Sequence, residues 1–131
     1  MKRILIMGLP GTGKTTLATE LQTRLNSAHF NADKVRALFN DWDFSEEGRI
    51  RQSQRMRDLA DASAVDYVIA DFIAPLKQMR DIYAADYVIW MDTIAEGRFE
   101  DTNRMFEPPE TYDLRITDFD YNMDDILKEL P

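Results

Sequence analysis

Residues 8–16 read Gly8-Leu9-Pro10-Gly11-Thr12-Gly13-Lys14-Thr15-Thr16, and their setting decides the fold. They fit the pattern G-x-x-x-x-G-K-[ST], with Gly8, Gly13, Lys14 and Thr15 at the fixed positions. A short apolar run, Ile4-Leu5-Ile6-Met7, comes before them, and a helix-like stretch, Thr16-Leu17-Ala18-Thr19-Glu20-Leu21, comes after. Strand, glycine-rich loop and helix in that order make a phosphate-binding loop, in which backbone N–H groups and a helix N-terminus face negative charge. The expected nucleotide contacts are Gly8, Pro10, Gly11, Thr12, Gly13, Lys14, Thr15 and Thr16. Lys14 is placed to reach the β- and γ-phosphates, and the Thr15 hydroxyl to hold Mg²⁺. The cofactors implied are ATP and Mg²⁺. A dinucleotide fingerprint is excluded, because it needs G-x-G-x-x-G and the glycines here give G-x-x-G-x-G.

The bulk composition agrees with one soluble globular domain spanning residues 1–131. A net charge of −8 argues against a surface built for general nucleic-acid binding, though not against a local basic pocket. With no cysteine and only His29, neither a disulfide framework nor a zinc site can be assembled. The apolar run after Met1-Lys2-Arg3 is too short for a signal peptide, and no stretch approaches a membrane span. A cytoplasmic location, where ATP is available, is the expectation.

Working outward from the loop, strand-like and helix-like runs alternate, which is the pattern of a parallel α/β sheet. Strands are expected at about 3–7, 28–31, 66–71, 86–92 and 112–117. Helices are expected from Lys14 to about Asn26, from near Asp33, over 45–64 with Ser45 as N-cap, from Pro75 to about Tyr83, and over 122–130. Residues 94–110 are polar and carry Gly97, Pro108 and Pro109, so they read as a loop or lid. The expected architecture is α/β, the three-layer P-loop kinase fold with a five-stranded parallel sheet. Ligands then gather at the carboxyl ends of the strands.

The residues just past each strand carry the chemistry. Phosphoryl transfer needs a metal, a group that accepts the acceptor's hydroxyl proton, and cations on the transferring oxygens. Asp33 is placed to take that proton and is also a candidate ligand of the metal, and it fits the N-cap of the helix beginning there. Asp71 ends the run Tyr67-Val68-Ile69-Ala70 and is expected to hold Mg²⁺. Arg49, Arg51, Arg55 and Arg57 crowd one helix of an otherwise acidic chain. Glu47 and Asp61 supply helical partners for Arg51 and Arg57 but none for Arg55. Arg55, Arg36 and Arg80 are therefore the candidates for holding an anionic substrate. In the lid, Arg98 is the candidate for the transferring phosphoryl group, ahead of Arg104.

These motifs together resemble the adenylyl-sulfate kinases. The family's D-G-D-N-[VI]-R-x-x-L-N is met by Asn31-Ala32-Asp33-Lys34-Val35-Arg36-Ala37-Leu38-Phe39-Asn40. Its G-F-S is echoed by Asp43-Phe44-Ser45, its F-I-S-P-x-R-x-x-R by Phe72-Ile73-Ala74-Pro75-Leu76-Lys77-Gln78-Met79-Arg80, and its V-D-T by Met91-Asp92-Thr93. The similarity runs through residues 1–93 and thins through the lid. The resemblance implies that Asp33 is the catalytic acid of D-G-D, that Arg36 and Arg55 bind substrate, and that Asn40, Phe44 and Ile73 line the nucleotide-sulfate pocket. Lys77 stands at an arginine of the pattern, Asn31 at its first acid and Ala74 at its serine, and the lid is short. It also implies a homodimer as one arrangement, with no interface readable from the residues.

The function expected is transfer of the γ-phosphoryl group of ATP to a hydroxyl of a small anionic acceptor, with the 3′-hydroxyl of adenylyl sulfate as first candidate. Two other readings stay open: a P-loop kinase for another hydroxyl (a nucleotide, a sugar acid or a hydroxymethylated DNA base), and a nucleotide-binding module without catalysis. A GTPase switch is excluded, since neither D-x-x-G nor N-K-x-D occurs.

Overall fold

The computed structural model describes all 131 residues, Met1 to Pro131. Five strands form one sheet: β1 (Lys2–Met7), β2 (Ser27–Asn31), β3 (Tyr67–Asp71), β4 (Tyr87–Met91) and β5 (Leu114–Ile116). They are all parallel and lie in the order β2-β3-β1-β4-β5. Six helices connect them: α1 (Lys14–Arg24), α2 (Ala32–Phe39), α3 (Glu46–Asp61), α4 (Lys77–Tyr83), α5 (Glu100–Met105) and α6 (Met123–Glu129). This is the three-layer P-loop kinase fold expected from the order of elements.

The layers follow from strand periodicity. Successive side chains of β1 point to opposite faces, and both faces are apolar, so helices must cover both. Ile4 and Ile6 pack with Leu17 and Leu21 of α1 and Ile126 of α6 on one side. Leu5 and Met7 pack with Val35 of α2, Met56 and Ala60 of α3 and Tyr83 of α4 on the other.

The strand order positions the site. Because β3 lies between β1 and β2, Asp71 is the register partner of both Ile6, just before the loop, and Asn31, at the end of β2. The carboxyl ends of three strands thus open onto one place.

Two expectations change. Pro75 does not open α4: the helix begins at Lys77 with Leu76 as N-cap, and Ala74 just upstream has φ 45°. The lid is not loop throughout, because α5 occupies its centre.

Candidate active site

The loop between β1 and α1 is built by glycine geometry. Gly8 has φ 146°, and a Cβ there would collide with the Met91 carbonyl oxygen at the end of β4. Gly13, at φ 92°, is the N-cap of α1 and turns the chain into the helix. The Thr12 hydroxyl donates to the Leu9 carbonyl at 2.8 Å, and the Thr93 hydroxyl donates to the Thr12 carbonyl at 2.9 Å, pinning the loop to β4. Lys14 Nζ donates to the Leu9 carbonyl at 2.9 Å. Lys14 is 9% exposed and makes no ion pair within 4 Å. Burial pulls its pKa down to about 8 against the opposing pull of Asp71 and Asp33.

Beside the lysine lies a compact polar corner. Asp71 is 2% exposed, and its Oδ2 meets His29 Nε2 at 3.0 Å and accepts from Asn31 Nδ2 at 3.0 Å. Burial alone would raise the Asp71 pKa; the hydrogen bonds from His29, Asn31 and Thr15 outweigh it and hold the carboxyl below its ordinary value. Asn31 Nδ2 also donates to Thr15 Oγ1 at 3.1 Å. Asn31 Oδ1 accepts from the Lys34 backbone N–H at 3.1 Å, which makes Asn31 the N-cap of α2. The cap role open to Asp33 is therefore taken by Asn31. Asp33 stands in the first turn of α2, exposed and without an ion-pair partner, facing the cleft.

That cleft, about 770 Å³, extends from the loop past α2 and α3 to the lid. Among the expected residues Pro10, Gly11, Lys14, Thr15, Asp33, Arg36, Phe44, Asp71, Ile73 and Arg98 line it. Arg36 is buried and donates to the carbonyls of Asp41 and Asp43 at 3.1 and 3.0 Å, with its guanidinium 4.3 Å from the Phe44 ring centroid. Arg49, also buried, lies 5.5 Å from the same ring, donates to the Phe44 carbonyl at 2.9 Å, and reaches Thr102 Oγ1 at 3.1 Å. Neither arginine forms an ion pair. Burial lowers the pKa of both, and for Arg36 the adjacent Arg49 charge adds to it. Three aromatic side chains also line the cleft while keeping about half their surface exposed: Trp42 (51%), Phe44 (47%) and Phe99 (56%).

The lid rests against the loop. Gly97 and Asn103 clasp each other through hydrogen bonds of 2.8 and 2.9 Å, and Gly97 packs against Pro10. Thr102, buried on α5, accepts the Arg49 bond, tying the lid to α3. Arg104 is neutralised on its own helix by Asp101 at 2.5 Å and Glu100 at 3.5 Å. Arg98 forms no ion pair and touches the Phe99 ring, 5.7 Å from its centroid.

Four residues expected to bind substrate are placed elsewhere. Arg55 pairs with Asp41 at 2.7 Å and stacks on Phe39, because Asp41 from the α2–α3 connection supplies the acid its own helix lacks. Arg80 donates to the carbonyls of Ala74, Pro75 and Glu107, fastening α4 to the chain beyond the lid. Lys77 forms an exposed i,i+4 pair with Asp81 at 2.6 Å. Asn40 caps the C-terminus of α2 in the left-handed conformation, φ 49°, and does not line the cleft. Arg49 was the available alternative to Arg55. The inner stripe of α3 is Arg49, Gln52, Ser53, Met56 and Ala60, so counting back by threes and fours from Met56 reaches Arg49. His29, Trp42, Phe99 and Phe119 carried no motif. Phe119, 56% exposed, lies beside the loop, where a Cβ on Gly13 would meet its ring at 3.4 Å.

The family described as AAA domain matches residues 4–103. The probable adenylyl-sulfate kinase of Aeropyrum pernix is 34% identical over 88 residues, 59% of this chain. The chain spans about half of that relative, 46% of its length. Among solved structures, the APS kinase CysC of Mycobacterium tuberculosis, in complex with AMPPNP and APS, has a TM-score of 0.73 at 21% identity, over 98% of this chain and 94% of that one. A sugar kinase from Janibacter sp. HTCC2649 has a TM-score of 0.72 at 20% identity, over 98% and 91%. The shikimate kinase of Aquifex aeolicus has a TM-score of 0.64 at 15% identity, over 97% and 92%. Structural likeness at these identities carries the fold. The resemblance to adenylyl-sulfate kinases read from the motifs is met by a relative of that name. No helix is long and apolar enough to cross a membrane. With a match that starts in β1 and runs through the phosphate loop to the lid helix, the chain belongs to the P-loop family described as AAA domain and carries the kinase-type fold.

Proposed function

We propose that the protein is an ATP-dependent phosphotransferase that acts on the hydroxyl of an anionic acceptor bearing a planar ring, with adenylyl sulfate as the first candidate. One observation carries the acceptor class. The cleft joins two buried guanidiniums that form no ion pair to three half-exposed aromatic rings. Both guanidiniums are hydrogen-bonded to neutral oxygens but lack an ion pair, so an anionic ligand would stabilise this wall. The rings offer stacking to a base, which a sugar acid or shikimate does not need.

The residues present fit ATP and Mg²⁺. A buried ammonium lacking an ion-pair partner, set behind a loop of positive-φ glycines, suits phosphate. Thr15 and Asp71 present hard oxygen donors beside it, as Mg²⁺ requires. The ion, when bound, neutralises charge on the β- and γ-phosphates. Lys14 binds and orients the same phosphates. Asp33, the carboxylate of the cleft not engaged by a side chain, accepts the proton of the acceptor hydroxyl at its carboxylate oxygen. Arg36 and Arg49 hold the acceptor's anionic group, and Arg98 faces the transferring phosphoryl from the lid. The lid, already clasped to the loop, excludes water.

The test is transfer of labelled γ-phosphate from ATP–Mg²⁺, with adenylyl sulfate, a sugar acid, shikimate and hydroxymethylated DNA as parallel acceptors. Labelling of adenylyl sulfate, lost in Arg49→Ala, is expected. Labelling of a non-aromatic acceptor alone would overturn the acceptor class, and ATP binding without any transfer would favour the binding-module reading.

A further inference from the structure

Position 31 carries an amide where the D-G-D pattern carries an acid, and the register partner of position 31 on the next strand is an acid, Asp71. The two side chains touch, Nδ2 to Oδ2, at 3.0 Å. Asn31 saturates both ends of its side chain. The amide nitrogen serves Thr15 and Asp71 together, and the amide oxygen caps α2. A carboxylate at 31 could still cap α2 but could donate to neither oxygen, and beside Asp71 it would place two acids within hydrogen-bond distance. His29, two residues earlier on the same face of β2, meets the same Asp71 Oδ2 at 3.0 Å. The corner therefore holds one acid, and every polar neighbour on β2 grips one of its two oxygens.

We propose that Asn31 and His29 are positioning residues which hold Asp71 Oδ2 and leave the rest of the carboxylate, with Thr15 Oγ1, for the divalent ion. The proposal rests on the reading of Thr15 and Asp71 as Mg²⁺ ligands. It adds that acid and amide are exchangeable across the β2–β3 pair. It also gives a role to the single histidine, which the phosphoryl-transfer chemistry does not use.

The experiment reads binding of a non-hydrolysable ATP analogue with Mg²⁺ and with EDTA. The ratio of the two affinities measures the ion's contribution, and the EDTA arm reports the loop and Lys14. Asp71→Asn is expected to cut the Mg²⁺ ratio at least tenfold, the EDTA arm taking up any change it makes at Lys14. The exchange variant, Asn31→Asp with Asp71→Asn, keeps the α2 cap and is expected to return the ratio to within threefold of the parent. His29→Leu is expected to lower the ratio several-fold, and His29→Gln, which retains an N–H donor, to recover most of it. Thermal melting of each variant separates this from a loss of fold. If Asp71→Asn loses the ratio but the exchange does not restore it, or if His29→Leu leaves it unchanged, the positioning proposal fails while the ligand reading stands. If Asp71→Asn leaves the ratio intact, both fail.

Discussion

Lys14 should make nucleotide affinity and the stability of the unliganded fold respond to pH in opposite directions. Burial lowers its pKa from 10.5 to about 8, and Asp71 and Asp33 only partly counter this. Below about pH 8 the folded chain holds a charged ammonium in a site that disfavours charge, while the unfolded chain does not. The displacement corresponds to a cost on the order of 3 kcal/mol. That cost is fully present below about pH 8 and fades as pH rises toward 10.5, because the unfolded chain binds more protons across that window. On this account the unliganded protein gains stability with rising pH between those values. Binding of a triphosphate has the opposite need: the phosphates require the ammonium, so above about pH 8 binding takes up a proton. Affinity should then fall about tenfold between pH 7 and pH 9. The assay is titration of a fluorescent ATP analogue in EDTA at half-unit steps of pH, with Lys14→Arg as the control whose charge does not titrate there. A flat affinity across the window would refute the burial argument. An equal loss in Lys14→Arg would refute it too, by assigning the proton elsewhere.

Other outcomes follow from single contacts. Arg98→Ala should slow phosphoryl transfer about a hundredfold or more at unchanged melting temperature, since the guanidinium lies over the Phe99 ring and forms no ion pair; an unaltered kcat would remove Arg98 from the site. Gly8→Ala should destabilise the fold by about 2–4 kcal/mol in urea unfolding, because its Cβ meets the Met91 carbonyl and φ is 146°; a wild-type midpoint would contradict the close approach. Thr102→Val leaves Arg49 Nη2 without its acceptor and should loosen the lid by about 1 kcal/mol, read as faster amide exchange over 97–103 and a raised acceptor KM. Phe119→Ser should raise the KM for ATP and leave that of the acceptor unchanged, since the ring lies against Gly13 and away from the cleft.

The sequence made the loop, the five strands and the three layers readable because each rests on local pattern. A full G-x-x-x-x-G-K-[ST] between an apolar run and a helix leaves little choice, and buried parallel strands read as continuous apolar runs. The lid helix was not readable. Glu100–Met105 is six residues between Gly97 and Pro108, too short to be stable alone. Its hold comes from Thr102 docking on Arg49, a contact 53 residues away in sequence. The arginines show the same limit. Arg55 looked free because its acid, Asp41, lies outside α3, and Arg49 looked ordinary because its burial depends on which face of α3 meets the sheet. Asn31 read only as a departure from a motif because its partner, Asp71, is 40 residues away and next to it only through the sheet.

The cleft divides its charges by depth and by strand, and the proposed reaction follows that division. Lys14, Asp71 and Thr15 gather where β1, β2 and β3 end, and in the proposed function they serve a polyphosphate and its ion. Arg36 and Arg49 gather on the inner faces of α2 and α3, one helical layer away, each close enough to share the Phe44 ring. Asp33 stands between the two groups, near enough to act on both Lys14 and Arg36. Asp71 is gripped by His29 and Asn31, whereas Asp33 forms no side-chain hydrogen bond or ion pair. Under the proposed function, a hydroxyl presented by an acceptor on the arginine wall would meet the phosphate loop at that carboxylate. The polar side chains around it are committed to holding the fold, so Asp33→Asn should abolish transfer while leaving both ATP and acceptor binding within about threefold. Loss of binding in that variant, with transfer persisting at saturating substrate, would move the proton-accepting role elsewhere.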